Sequence, residues 1–262
     1  MSDVLHSDAV VAVFAHPDDE SLGCGGTLAR LADSGMRVTV VCASHGERGS
    51  PNHPDRDDAL ARTRANELHE AATTLGISEV ILLDYPDGEL QWTLVTEFRA
   101  DLEMFLRRRR PAAVITFGSD GLYWHSDHIG IHEHTTAVVR SLGAGGPSLY
   151  YVTMATETMT NIVAAARQRG WMPPAQGFWS LAPEAFGVGA KPPTVVVDVA
   201  RWVPRKLAAI ECHLSQVGVD HPFAQLDNQA ACRWLGLEYF HRADDLPSKP
   251  SILESFACAS RP

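Results

Sequence analysis

No C-x-x-C pair occurs among the five cysteines, which lie at 24, 42, 212, 232 and 258, so neither a disulfide framework nor a thiolate zinc knuckle is encoded. Long hydrophobic runs are missing too. The longest purely apolar stretch, 9–15, has seven residues, against the roughly 20 that span a bilayer, and the polar start at 1–8 lacks the order of a secretion signal. Positive charge is scarce: 22 Lys and Arg against 32 Asp and Glu leave a net charge of −10, the wrong sign for nucleic-acid phosphates or an anionic membrane surface. Nucleic-acid and membrane partners are not expected. The chain is expected in the cytoplasm, with its cysteines reduced and mostly buried. What it does have is 262 residues, 45% of them hydrophobic, enough for a sizeable core in one α/β domain. A homo-oligomer stays open.

Over the first 150 residues, short β-branched runs alternate with segments of helical period, the pattern of repeated βαβ units and a mostly parallel sheet. The runs predict strands at 10–15, 38–43, 80–83, 113–117 and 149–152, with another at 194–198. Val95, Phe98, Leu102 and Phe105 mark one helix face, Ile131, Thr135, Val138 and Leu142 a second, and Val203, Leu207, Ile210 and Leu214 a third. The expected architecture is a Rossmann-like three-layer sandwich with the active site at the strand C-terminal edge, where open α/β sheets bind ligands. Residues 1–155 would form the catalytic core and 156–262 the pocket rim, a late strand and helix, and a C-terminal tail with no readable pattern beyond 222. Residues 170–193 hold four Gly and five Pro beside Trp171, Phe178 and Trp179. That composition suits either a connector plugged onto the core or a lid over the pocket.

Two polar clusters follow strands. At 15–20 the sequence reads A-H-P-D-D-E, which places an imidazole and three carboxylates at one strand end. Helix capping needs only one of these acids. His16 and Asp19 are three residues apart across a turn that Pro17 helps to fix, so both can meet one cation, while Asp18 points elsewhere. At 123–128 the sequence reads Y-W-H-S-D-H, with His125 and His128 on one face. Catalytic zinc takes three protein ligands and keeps a position for water, and His16, Asp19 and His128 supply that set. One Zn2+ per chain is expected, although other divalent transition metals suit the same donors.

These elements resemble the PIG-L or LmbE-like zinc-dependent de-N-acetylases, which remove acetyl groups from N-acetylglucosamine-type amines. Both signatures, A-H-P-D-D-E and H-x-D-H, are intact, and G-E-R-G at 46–49, R-A-N-E-L at 64–68 and Y-P-D-G at 85–88 look like the intervening family elements. Lys206 and H-L-S-Q at 213–216 resemble its late pattern. The resemblance implies zinc on His16, Asp19 and His128, with Asp18 as general base. It implies His125 as the imidazolium that stabilises the oxyanion and protonates the amine, and Asp127 as the partner holding His125 charged. Tyr123 would help bind the oxyanion. Arg64 and Asp87 match sugar-contacting positions, and Glu47 falls at or behind the substrate rim. Trp124 and Ser126 replace a frequent small residue and a frequent proline, and Trp124 could narrow the pocket or stack on a sugar. His213 fits either the pocket or a helix end.

The implied partner is a small amino-sugar substrate. A zinc amidase acting on a thiol conjugate or another small amide would use the same machinery, and a non-catalytic zinc-containing sugar-binding module would need Asp18 or His125 replaced. A phosphate turn at 23–26 would lack its third glycine, since Leu28 stands there.

Overall fold

Runs such as AVVAVF and AVITF are apolar on both faces, which suits strands covered by helices on both sides. In the computed structural model, which describes residues 8–49, 58–92, 95–243 and 252–257, these runs form β1 (Ala9–Phe14) and β4 (Ala113–Phe117), buried throughout. With β2 (Arg37–Cys42), β3 (Glu79–Leu82), β5 (Ser148–Thr153), β6 (Val195–Asp198) and β7 (Leu237–Arg242) they make one seven-stranded sheet of order β3-β2-β1-β4-β5-β7-β6. All pairings are parallel except those of β7, which runs antiparallel to both β5 and β6. The six strands expected from the sequence are present to within one residue at each end.

The longer helices are α1 (Asp19–Asp33), α2 (Asp58–Leu75), α3 (Val95–Arg109), a kinked turn α4 (Gly121–Trp124), α5 (Ser126–Ser141), α6 (Thr158–Gln168), α7 (Val203–Cys212), the short α8 (Leu214–Val217) and α9 (Asn228–Leu235). Helices α1, α2 and α7 pack as one layer, α3 and α5 as the other. The predicted apolar faces are the buried ones: Phe98 and Leu102, Ile131 and Val138, Val203 and Ile210. Leu214 departs from its face at 53% exposure, because α7 stops at Cys212 and His213 leaves the helical conformation; the Val95 side chain lies outside what the structure describes. Among the described residues no helix is long and apolar enough to cross a membrane.

The second half of the chain completes the sheet through β6 and β7 and adds its own apolar cluster around Ile162, Trp171, Trp179, Phe186 and Leu235. The Gly- and Pro-rich stretch therefore plugs onto a core through Trp171 and Trp179 and also borders the main cleft through Phe178, Leu181 and Phe186. The glycines at 23–26 lie inside α1 and form no phosphate turn: a Cβ on Gly26 would stand 2.7 Å from the Val199 side chain. Of the cysteines, Cys24 and Cys42 are buried, Cys212 is half-buried and Cys232 exposed, so fewer are buried than expected. Cys258 lies outside the described residues.

Candidate active site

Strand order reverses between β1 and β4, the neighbours at the centre of the sheet, and the crevice beyond such a reversal is where open α/β sheets bind ligands. The loop after β1 and the first residue of α1 carry His16, Asp18 and Asp19, and the α4 turn, the residue after it and the start of α5 carry Tyr123, His125, Asp127 and His128. All of these except Asp127 line a cleft of about 460 Å³.

His16, Asp19 and His128 converge. Asp19 Oδ1 stands 3.2 Å from His128 Nε2, and Asp19 Oδ2 stands 3.6 Å from His16 Nδ1. His16 turns its other nitrogen, Nε2, to Asp127 Oδ2 and Asp87 Oδ1, each at 3.1 Å. Burial opposes charge on this ring, but hydrogen bonds to Asp127, Asp19 and Asp87 outweigh it and raise the pKa well above 6.5. Burial also opposes the charge of Asp19, whose carboxyl is nevertheless held well below the usual carboxylate range by His128 and His16. So many buried acids around one ring call for a cation, which is either a proton or a metal ion in its place.

His128 bears on which it is. Its ring lies flat on Phe117, with centroids 3.9 Å apart, and Nδ1 meets Gly121 O at 3.1 Å. We therefore assign the proton to Nδ1, which leaves a lone pair on Nε2. That nitrogen is buried with no hydrogen-bond partner, beside a carboxylate oxygen, a mismatch that a cation between the two would resolve. The spacings of 3.2 and 3.6 Å bracket the roughly 3.4 Å expected between atoms bound at about 2.0–2.1 Å to one tetrahedral ion. The residues present thus fit a metal. By mutual distance alone the described residues offer two groups, His16 with His125 and His128, and His16 with Asp87 and Asp127. Mutual distance alone thus sets His125 rather than Asp19 beside His16 and His128; hydrogen bonding points the other way. The backbone N–H of Asp127 donates to His125 Nδ1 at 3.3 Å, so the ring proton sits on Nε2 and no lone pair is left for a metal.

Asp18 does not cap α1: its side chain makes no capping bond, and its backbone sits at φ 123°. Such a conformation costs about 1–3 kcal/mol. It turns the carboxylate toward Arg64, whose Nη2 lies 3.2 Å from Asp18 Oδ2. The same guanidinium donates to Pro17 O at 2.7 Å and Gly46 O at 2.8 Å, which clamps the loop that holds His16. Burial pushes the Asp18 carboxyl up to about 6 against the pull of Arg64.

The expected contact of the Asp127 carboxylate with the His125 ring is not made; only the Asp127 backbone N–H reaches that ring. The Asp127 carboxylate is fully committed elsewhere: Oδ2 accepts from His16 Nε2 and from Gly88 N at 2.7 Å, and Oδ1 accepts from Leu90 N at 3.1 Å. Burial, with the neighbouring His128 and His16 rings, brings the His125 pKa down to about 4, a shift that opposes the imidazolium the resemblance implies. Asp127 holds the His16 ring instead. Asp127→Asn is therefore expected to weaken metal binding about 10- to 100-fold, read by chelator competition, with the fold retained.

Against known proteins, the model of the PIG-L family, described as GlcNAc-PI de-N-acetylase, matches residues 11–139. A protein of Acidothermus cellulolyticus named 1D-myo-inositol 2-acetamido-2-deoxy-alpha-D-glucopyranoside deacetylase is 30% identical across 88% of this chain and 87% of its own. The chain belongs to the PIG-L family. Its fold matches N,N'-diacetylchitobiose deacetylase of Pyrococcus horikoshii (TM-score 0.66, 23% identity, 92% of this chain and 87% of that one). It also matches the 4-carboxy-2-hydroxymuconate hydratase GalB of Pseudomonas putida (TM-score 0.63, 20% identity, 92% and 98%). One fold thus carries different reactions, and the side chains have to separate them.

The remaining family elements brace the site. Asp87 lines the cleft, and its carboxyl is lowered to about 2, burial being outweighed by His16 and by the Arg48 N–H. Glu47 stays outside the cleft lining and accepts the Asp87 N–H at 2.9 Å. Trp124 is 56% exposed, packs by Gly189 and does not line the cleft, so it does not narrow the pocket. Sequence reasoning left Glu67, Lys206 and Glu238 without partners. Glu67 accepts from Ser215 N and Oγ at 2.7 and 2.6 Å, and Lys206 Nζ meets Glu238 Oε1 at 2.6 Å.

His213 takes the helix-end role: it is fully buried and pairs with Glu20 Oε1 at 2.8 Å. Removing one partner of a buried pair costs about 3–5 kcal/mol, so His213→Ala should lower the melting temperature by roughly 10 °C. Burial lowers the His213 pKa, but Glu20 more than reverses this and holds it above 6.5; His213 in turn outweighs burial to hold Glu20 below 4.5. The His213 contribution is thus complete below about pH 6.5 and fades as pH rises through the raised value. The Glu20 contribution is complete above about pH 4.5 and fades as pH falls through the lowered one. Thermal melts across that range check both limbs.

Proposed function

We propose that this chain is a zinc-dependent deacetylase that hydrolyses the acetamide of a dissolved N-acetylglucosamine-type sugar in the cytoplasm. The observation that carries the reading is the convergence of His16, Asp19 and the unpartnered His128 Nε2 beside a raised Asp18 carboxyl in one cleft. The names of the relatives, amino-sugar deacetylases, support the substrate class. Two imidazoles and a carboxylate are a common catalytic zinc set. His16, Asp19 and His128 would hold the ion, which supplies Lewis acidity toward water and the amide carbonyl.

The chain's own groups divide the rest of the work. Asp18 accepts the proton of the attacking water, and Arg64 keeps the carboxylate accessible near neutrality despite its burial. The neutral His125 ring donates from Nε2 to the carbonyl oxygen as negative charge gathers there, and Tyr123 lines the same cleft. A neutral imidazole cannot readily give up its only proton. Asp18, with a carboxyl near 6, therefore carries the proton on to the departing amine. Asp87 and Arg64 present polar groups where sugar hydroxyls would bind.

The test is release of acetate and free amine from a panel of N-acetylglucosaminides, with metal-stripped protein reloaded with zinc or another divalent ion. Acetate release restored by zinc supports the reading. No release from any member with any ion removes it.

A further inference from the structure

The lining of the cleft is of two kinds. His16, Asp18, Arg64 and Asp87 mark the proposed reaction centre, and Met159, Ile162, Phe178, Leu181, Phe186 and Leu237 add an apolar wall to the same cleft. Tyr123 joins the two. Its ring lies 5.3 Å from His128 on one side, and 5.1 and 5.5 Å from Phe186 and Phe178 on the other. The apolar wall therefore begins at the reacting groups and is not a separate groove. Lys206 and Glu238 also line the cleft, and they are spent on each other at 2.6 Å. Glu238 also accepts the N–H groups of Gly26 and Thr27 at 3.0 and 2.7 Å. A hydroxyl pressed against any of these six side chains would lose water without gaining a hydrogen bond, which is unfavourable for every group so buried; the uncharged polar side chains of the lining, among them Thr153, Thr158, Gln216 and Tyr239, leave that wall apolar.

We infer that the substrate carries an apolar alkyl or aryl group in addition to its amino-sugar amide, and that this wall binds it. The inference rests on the deacetylase reading only for the reacting end. Two attachments would deliver the same chemistry to the wall: an aglycone on the sugar, or a longer acyl chain on the nitrogen.

Two substrate series test it, both below their micelle concentrations. One holds the acetamide constant and lengthens the glycoside from methyl through butyl to octyl. The other holds the methyl glycoside and lengthens the acyl group from acetyl through butanoyl to octanoyl. Each methylene that enters the wall should raise kcat/KM about fourfold, and the series that rises identifies the attachment. The slope should flatten in Leu181→Asp, a change at a residue already 41% exposed and so tolerated by the fold. Calorimetry on metal-stripped protein gives a second readout: octyl N-acetylglucosaminide should bind more tightly than the methyl glycoside, with a negative heat-capacity change. Hydrolysis that is equal along both series, with no octyl preference in calorimetry, overturns this inference and leaves the deacetylase reading standing. Octyl-selective binding without hydrolysis of any member does the reverse.

Discussion

Asp18→Asn is expected to lower kcat about 100- to 10,000-fold, the usual contribution of a general base, and to leave bound metal unchanged. The variant suits the position. Asn is among the few side chains that tolerate a positive φ, and Asp18 sits at 123°, so the loop keeps its path. The carboxylate meets Arg64 and neither His16 nor His128 in an ion pair, so the proposed ligands keep their positions. In the wild type, kcat/KM should rise with pH as Asp18 ionises. Burial pushes that carboxyl up to about 6, and Arg64 is the largest influence in the opposite direction; a bound cation would draw it lower still. Arg64→Met should then shift the acid limb to higher pH. Metal content by atomic absorption, beside pH profiles of both variants, decides the matter. An acid limb that stays in place in Arg64→Met means that another group titrates there, and metal lost from Asp18→Asn makes Asp18 a ligand.

Much of this site could be read from sequence because its residues follow strands whose apolar runs are unmistakable. AVVAVF and AVITF are buried on both faces, so the positions just beyond them had to fall at the sheet edge. The partner of Asp127 was misread for a local reason. His125 is two residues away, but residues two apart on a helix do not face each other. His125 sits at the N-cap of α5, and the Asp127 carboxylate turns to His16, 111 residues earlier in the chain. Strand β7 escaped notice because LEYFHR buries Glu238 and His241 as well as Phe240. Glu238 is tolerated there only because Lys206, Gly26 and Thr27 supply its hydrogen bonds, and no sequence period announces partners so distant. The backbone of the 122–124 turn was equally hidden: Leu122 and Trp124 both adopt φ of 66°, which neither residue favours alone. That turn sends Trp124 outward and Tyr123 into the cleft.

His128→Ala is expected to abolish activity and to weaken metal binding by more than about 100-fold, since even the outer partners of metal ligands are worth about 10- to 100-fold. The comparison that gives this result meaning is His125→Ala. Both rings lie near His16, with centroids 5.4 and 5.0 Å away, and mutual distance groups both with it. Their hydrogen bonds differ. His128 gives its Nδ1 proton to Gly121 O and keeps a buried lone pair on Nε2, whereas His125 accepts the Asp127 N–H at Nδ1 and carries its proton on Nε2. The first ring is set up as a ligand and the second as a donor. His125→Ala should therefore retain metal while turnover falls, by about 100- to 1,000-fold if it supplies one oxyanion donor. Asp19→Ala should lose metal with His128→Ala. Thermal melts guard against misfolding, because His128 is packed flat on Phe117 and its removal leaves a void there. Equal metal loss in His125→Ala and His128→Ala, with metal retained in Asp19→Ala, would make the third donor an imidazole and move the oxyanion contact to Tyr123 alone.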